Sequence, residues 1–302
     1  MHIPDSMLQG TVCPVTAVVS ALGLGIAVCA AVRSKNRPTS ARFAAITALI
    51  FAAQMMNFAI HDGTSGHLIG GVLSAVLLGV PFGVLSLALV ITIQSLVFSD
   101  GGIFVLGANV LNMALIGSGA GGILYLFFSG GAKSKNLKNL VFLGLAAWVS
   151  VITASVAVSL ELAVCGAASF ARILPSMVGT HALIGIGEAL ITIAVYVTLV
   201  SGSESVSDKW SISAPVTASI IIGLILSPFA CGFPDGLEWV AERYHLFHDA
   251  APAFVGFFPD YTIPVVDNGI LSTGIAGLAG TLLTFLMAWF LCRQLNSGHA
   301  MN

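Results

Sequence analysis

Long apolar stretches separated by short polar ones run the length of the chain, and they settle its solvent. A bilayer core asks for about 20 apolar residues per helix, with shorter stretches allowed where neighbouring helices bury them. Nine such segments are expected, at 12–32, 42–60, 68–79, 82–98, 104–128, 137–164, 177–200, 214–230 and 270–292. The third is short, begins Leu68-Ile69-Gly70-Gly71, and is separated from the fourth by Pro81. Only 8% of the 302 residues are charged, where a soluble domain carries about a quarter. That scarcity excludes a cytosolic enzyme, a nucleic-acid binder and a disordered chain together. The expected fold is an all-α polytopic membrane protein of about nine transmembrane helices.

Basic residues in short loops orient such a protein. With the first ten residues outside, the inner loops hold Arg33, Lys35, Arg37, Arg42, Lys133, Lys135, Lys138, Lys209 and Arg293, leaving only Arg172 and Arg243 outside. The N-terminus is therefore expected outside, the C-terminus in the cytoplasm, and the protein in the plasma (inner) membrane. The opening MHIPDSMLQG has no basic residue and meets Pro4 and Asp5 before any apolar run, unlike a cleavable signal peptide. Bulky His2 also disfavours trimming of Met1, so a free amine at Met1 is expected.

Composition divides the chain. Ser201 to Ser213 (SGSESVSDKWSIS) has the makeup of a linker, separating a domain at 1–202 with about seven helices from a domain at 214–302, with 203–213 between them. The second domain has two helices joined by an outer loop, 231–269, which carries Asp235, Glu238, Glu242, Asp249, Asp260 and Asp267. A loop of that length is more often a functional or docking element than a passive connector.

The five cysteines form no CxxC, so thiolate metal spacings are absent. Nitrogen offers another route. A free amine at Met1, the His2 amide nitrogen and the His2 imidazole can chelate one ion through fused five- and six-membered rings. His67, placed by the spans at the outer mouth of the third helix, can supply a fourth nitrogen. A planar nitrogen set suits Ni(II), Cu(II) or low-spin Co(II), and suits tetrahedral Zn(II) poorly. The residues alone leave open a plainer reading, with His2 an ordinary residue of a flexible terminus and His67 a helix cap.

MHIPDSM at the start, AAQMMNFAIHDGTSGHLIGG at 52–71, SDGGIFVLGANVLNMALIG at 99–117 and GTHALIGIGEALIT at 179–192 resemble the signature segments of the CbiM/NikM family. Its members are substrate-capturing membrane components of energy-coupling-factor transporters for cobalt and nickel. The resemblance implies a metal held by the Met1 amine, the His2 amide and imidazole, and the His67 imidazole. It also implies two cytoplasmic ATPases and a coupling transmembrane subunit as partners, with Ni(II) or Co(II) as cargo and no prosthetic group. His61 and Asp62 depart from the uncharged, Pro-rich stretch common in the family; they read as a local turn, with an extra metal-gathering site as the alternative. CGFPDGLEWVAER at 231–243, FPDYTIP at 258–264 and GIAGLAGTLLTF at 274–285 resemble the PDGLE domain, the fused form of a NikN/CbiN-type accessory subunit. That resemblance implies assistance in metal loading.

Other polar residues are fewer. His181 and Glu188 lie seven apart and share a helix face; an acid at membrane depth is a functional candidate, and a hydrogen bond between helices is the alternative. Gln54, Asn57, Asn109 and Asn112 read as interhelical hydrogen bonds or supports of the metal loop, and Asp100-Gly101-Gly102 as an outer turn near the metal mouth. Ala17, Ala21, Gly25 and Cys29 make a small-residue stripe for close helix packing. The sequence has no GxxxxGK[ST] phosphate loop and no HExxH, so neither ATP hydrolysis nor metalloprotease chemistry is expected of it. No catalytic residue is assigned. A self-sufficient secondary transporter or channel would need paired helical halves or a chain of intramembrane ionisable groups, and neither is evident.

Overall fold

The computed structural model describes residues 1–131, 134–200, 212–247 and 254–297. Lys133, Lys209, Asp249 and nearly all of the expected linker at 203–213 lie outside them. The regular structure of the described residues is helical apart from a two-stranded antiparallel hairpin. In chain order the elements are α1 Val12–Arg33, α2 Ser40–Gln54, β1 Phe58–Ala59, β2 Ser65–Gly66, α3 Gly71–Leu78, α4 Val80–Phe98, α5 Leu106–Ser129, α6 Leu137–Val164, α7 Phe170–Leu199, α8 Ser213–Phe229, α9 Gly236–Tyr244 and α10 Gly269–Ser297.

Six of these (α1, α4, α5, α6, α7 and α10) are long and apolar enough to cross a membrane. The remaining three expected crossings are helices, but short ones. α2 has 15 residues and α3 only eight, which at 1.5 Å per residue gives α3 a length of about 12 Å. Local backbone explains both limits. α2 ends at Gln54 in a tighter turn, where Met55 and Met56 N–H donate to the Ala52 and Ala53 carbonyls at 3.2 Å, and the Gln54 side-chain Nε2 crosses to the Ile69 carbonyl at 2.7 Å. α3 lies between Gly70 and Gly79, both at positive φ (73° and 91°), a conformation glycine adopts without steric cost. All eight α3 residues are buried, so neighbouring helices stand where lipid would otherwise be. Close approach demands this: a Cβ on Gly71 would lie 2.5 Å from the Gly117 carbonyl carbon. At the other end of the chain of elements, α7 begins at Phe170 rather than at 177 and runs through Pro175.

Apolar side chains cover the outside. Val15, Val18, Leu22 and Ile26 of α1 are exposed, as are Leu282, Leu286 and Phe290 of α10. The buried interior centres on α2, α3 and α4. The C-terminal helices join this body through α2: Gly277 of α10 faces Gly223 of α8 and Met55, and Gly280 fits against Phe51 and Phe98. The segment before α10 closes over the end of α4, where Phe258 N–H donates to the Val97 carbonyl and Gly256 N–H to Ser99 Oγ, both at 2.8 Å. Tyr261 stacks on Phe98 at 4.7 Å between centroids.

Candidate metal centre

The chain's first three residues are threaded into the protein. Met1, His2 and Ile3 are 4%, 8% and 0% exposed. Asn109 of α5 grips the segment from both sides: its Oδ1 accepts from Ile3 N–H at 2.8 Å and its Nδ2 donates to the Ile3 carbonyl at 3.0 Å. Gly102 N–H adds a bond to the Ile3 carbonyl at 2.9 Å, and Asp5 Oδ1 accepts from Phe104 N–H at 2.9 Å. Asn109 thus acts on the terminal segment rather than between two helices.

His67 arrives from the loop between β2 and α3. Glu188 of α7 sets that loop, its two carboxylate oxygens accepting from Ile69 N–H at 2.6 Å and Gly70 N–H at 2.9 Å. These amides open α3 and have no helical carbonyl to bond. His67 Nδ1 lies 3.1 Å from the Leu68 carbonyl, which can only accept, so the ring proton belongs on Nδ1 and the Nε2 lone pair is free. That lone pair lies 2.5 Å from the Met1 amine. Two donors on one ion, with bonds of about 2.0 Å at a right angle, sit about 2.9 Å apart. The amine and His67 are therefore spaced close to what a shared ion requires.

His2 is held otherwise. Its Nε2 lies 3.0 Å from Gln94 Oε1 and its Nδ1 3.1 Å from Asp100 Oδ1, and its ring lies parallel to that of His67 at 5.3 Å and 17°. A neutral ring can give its one proton to only one of these two acceptors; a six-membered chelate ring uses the Nδ1 lone pair, so closing it puts the proton on Nε2 toward Gln94 and parts Nδ1 from Asp100. Burial lowers the His2 pKa to about 4 against the opposing pull of Asp100, so the imidazole is neutral at physiological pH. Among the described residues no group of three or more His, Cys, Asp or Glu side chains is arranged to hold a metal.

Sequence reasoning missed Asp235, of the Pro234-Asp235-Gly236-Leu237-Glu238 turn. Its Oδ2 accepts from the Met1 amine at 2.6 Å and stands 3.6 Å from His67 Nε2. Burial alone would raise its pKa, but the Met1 ammonium overcomes this and holds the carboxyl well below the ordinary value. Asp235 also caps α9, with Oδ1 accepting from Leu237 and Glu238 N–H and the Glu238 side chain accepting from Asp235 N–H, a capping box. The turn is fastened to the hairpin: Ser65 N–H donates to the Pro234 carbonyl and Ser65 Oγ to the Phe233 carbonyl, both at 2.8 Å. A second tie passes through Asp100, which accepts from Tyr261 OH at 2.6 Å while facing His2. The Pro234-Asp235-Gly236-Leu237-Glu238 motif was the available signal; its resemblance implied help in metal loading without giving Asp235 a contact with the amine.

The other candidates lie apart. His61 and Asp62 pair with each other at 3.2 Å and are exposed. Asn112 Nδ2 donates to Glu161 Oε2 at 2.8 Å, joining α5 to α6.

A helical membrane body with a small pocket where a buried terminal amine meets His67 and Asp235 is the class these features define: a polytopic membrane protein with a small histidine-lined site. Residues 2–205 match the family model for the cobalt uptake substrate-specific transmembrane region, and residues 209–297 match the PDGLE domain. The chain belongs to the CbiM family, with a fused PDGLE domain. It is similar to a putative fused nickel transport protein, NikMN, of Archaeoglobus fulgidus, at 32% identity over 97% of this chain and 98% of that one. The fused nickel transport protein NikMN of Rhodobacter capsulatus is 29% identical over 81% of this chain and 77% of its own. A crystal structure of a truncated transition metal transporter superposes with a TM-score of 0.56 at 31% identity, covering 65% of this chain and 96% of that one.

Proposed function

We propose that this protein is the substrate-specific component of an energy-coupling-factor importer for Ni(II) or Co(II), binding the ion through the Met1 amine, the His2 amide and Nδ1, and His67 Nε2. The carrying observation is the buried Met1 nitrogen 2.5 Å from His67 Nε2, two groups 66 positions apart. The domain at 1–202 captures the ion, and the domain at 214–302 bears on the site through Asp235 and Tyr261. The N-terminus and the outer loop face the exterior and the basic loops face the cytoplasm, with nine helices in the plasma membrane. Energy comes from a coupling transmembrane subunit and cytoplasmic ATPases, since the sequence holds no phosphate-binding loop.

The test is at the first atom. Two otherwise identical proteins, one extended by a few residues before Met1 and one tagged after Asn302, are titrated with Ni(II) and Co(II). Extension turns the amine into an amide and forces a different chelate, so the extended protein is expected to lose stoichiometric binding while the other keeps it. Equal affinities would remove the amine from the ligand set.

A further inference from the structure

Where α1 turns into α2, three cations gather without an acid. Arg33, Ser34, Lys35, Arg37, Thr39 and Asn296 line an open cavity of about 730 Å³ between that turn and the end of α10. Neither segment that builds the cavity can neutralise it from within, because residues 6–61 and 268–302 contain no Asp or Glu. Among the described residues, no carboxylate forms an ion pair with Arg33, Lys35 or Arg37. Arg37 is fixed in place. Its Nε donates to the Ser34 carbonyl at 3.0 Å, its Nη1 to the Leu295 carbonyl at 3.3 Å and its Nη2 to the Val32 carbonyl. These neutral partners leave it with N–H donors to spare and its whole charge. Asn296 Nδ2 donates to the Pro38 carbonyl at 3.3 Å, holding the turn against α10. Thr39 caps α2, its Oγ1 accepting from Arg42 N–H at 3.2 Å, so the positive end of that helix dipole stands on the same wall.

The depth is that of a lipid headgroup. Arg33 ends α1, whose Leu22 and Ile26 are exposed. On α10, Met287 and Phe290 are exposed just before Arg293, which lies over the Trp289 ring at 5.1 Å; aromatic and basic residues together mark membrane–water boundaries. We propose that this cavity binds an anionic phospholipid, with Arg33, Lys35 and Arg37 around its phosphate and its acyl chains along the exposed apolar faces of α1 and α10. Basic pockets between membrane helices take such headgroups, and the planar fork of arginine matches phosphate oxygens. A free phosphate ester carries the same charge but has no chain to lay on those faces. A headgroup here requires only that α1 and α10 reach the membrane surface, whichever ion the protein carries.

The full chain, tagged after Asn302, is stripped of co-purified lipid in neutral detergent and titrated with phosphatidylglycerol, phosphatidylcholine and soluble glycerophosphate, and bound molecules are counted by native mass spectrometry. Wild type is compared with Arg33→Gln/Lys35→Gln and with Lys138→Gln/Arg293→Gln, which removes equal charge from exposed residues outside the cavity. Arg37 is left alone because its carbonyl bonds shape the turn. Wild type is expected to bind phosphatidylglycerol well ahead of phosphatidylcholine, with glycerophosphate failing to displace it. Arg33→Gln/Lys35→Gln should weaken phosphatidylglycerol about 30-fold, the share of two basic residues at an anionic headgroup, while Lys138→Gln/Arg293→Gln stays within about twofold of wild type. Equal weakening in the two double variants would make the effect one of net charge and overturn the cavity as a site. Equal affinity for phosphatidylcholine, or displacement by an equal concentration of glycerophosphate, would overturn the anionic lipid as its ligand. Should Arg33→Gln/Lys35→Gln lose helix content, the wild-type titrations decide alone.

Discussion

Asp235 holds two posts. One carboxylate oxygen caps α9 and the other faces the Met1 amine, so a single substitution can separate the two roles. Asn caps helices about as well as Asp but carries no charge, and Asp235→Asn leaves a buried ammonium without its partner. Breaking a buried pair from one side costs about 3–5 kcal/mol. The metal-free Asp235→Asn chain is therefore expected to show a clear fall in thermal midpoint in detergent, with α9 intact by hydrogen exchange; an unchanged midpoint would refute the pairing. That Met1, His2 and His67 meet was legible, because the first two are covalent neighbours and the spans put His67 at the same mouth. Asp100 was legible as part of a turn near that mouth, but Asp235, Gln94 and Tyr261 were not placed there, because a hydrogen bond between residues 1 and 235 leaves no local pattern.

Helix lengths mark the boundary of legibility among the elements. Each of the nine apolar segments is helical, since hydropathy reports burial from water. It does not report whether lipid or protein does the burying, and α3, eight residues enclosed by protein, reads in the sequence like the edge of a membrane span. Hydropathy averages also pass over Gln54, Gly70 and Glu188, the residues that end α2 and open α3. Glu188 couples α7 to the start of α3 and so to His67. Glu188→Gln keeps one acceptor of two, and Glu188→Ala keeps none, orphaning two buried N–H groups at about 1–3 kcal/mol each. Substitutions behind a metal ligand typically weaken metal affinity about 10–100-fold. Ni(II) titration should therefore place Glu188→Gln near the lower end of that range and Glu188→Ala at or beyond the upper end; wild-type affinity in both would detach Glu188 from the site.

At the scale of the whole molecule, the parts matched by the two family models, 2–205 and 209–297, meet over surfaces that do not depend on the chain joining them. α2 packs against α8 and α10, Gly280 fits between two phenylalanines, the Pro234 turn pairs with Ser65, and Tyr261 stacks on Phe98. A protease site placed within 203–213 and cut in detergent is expected to give two fragments that co-purify and still bind one Ni(II). Fragments that separate would mean that the covalent connection holds the body together.

The ion pair between Met1 and Asp235 also orders events in time. A ribosome adds about 5–20 residues per second, so the amine emerges roughly 12–47 s before its carboxylate partner exists. During that interval the terminus can be gripped by His67 and Asn109 but has no carboxylate to pair with. The ion pair that closes the site thus waits on translation of the two hundred and thirty-fifth residue.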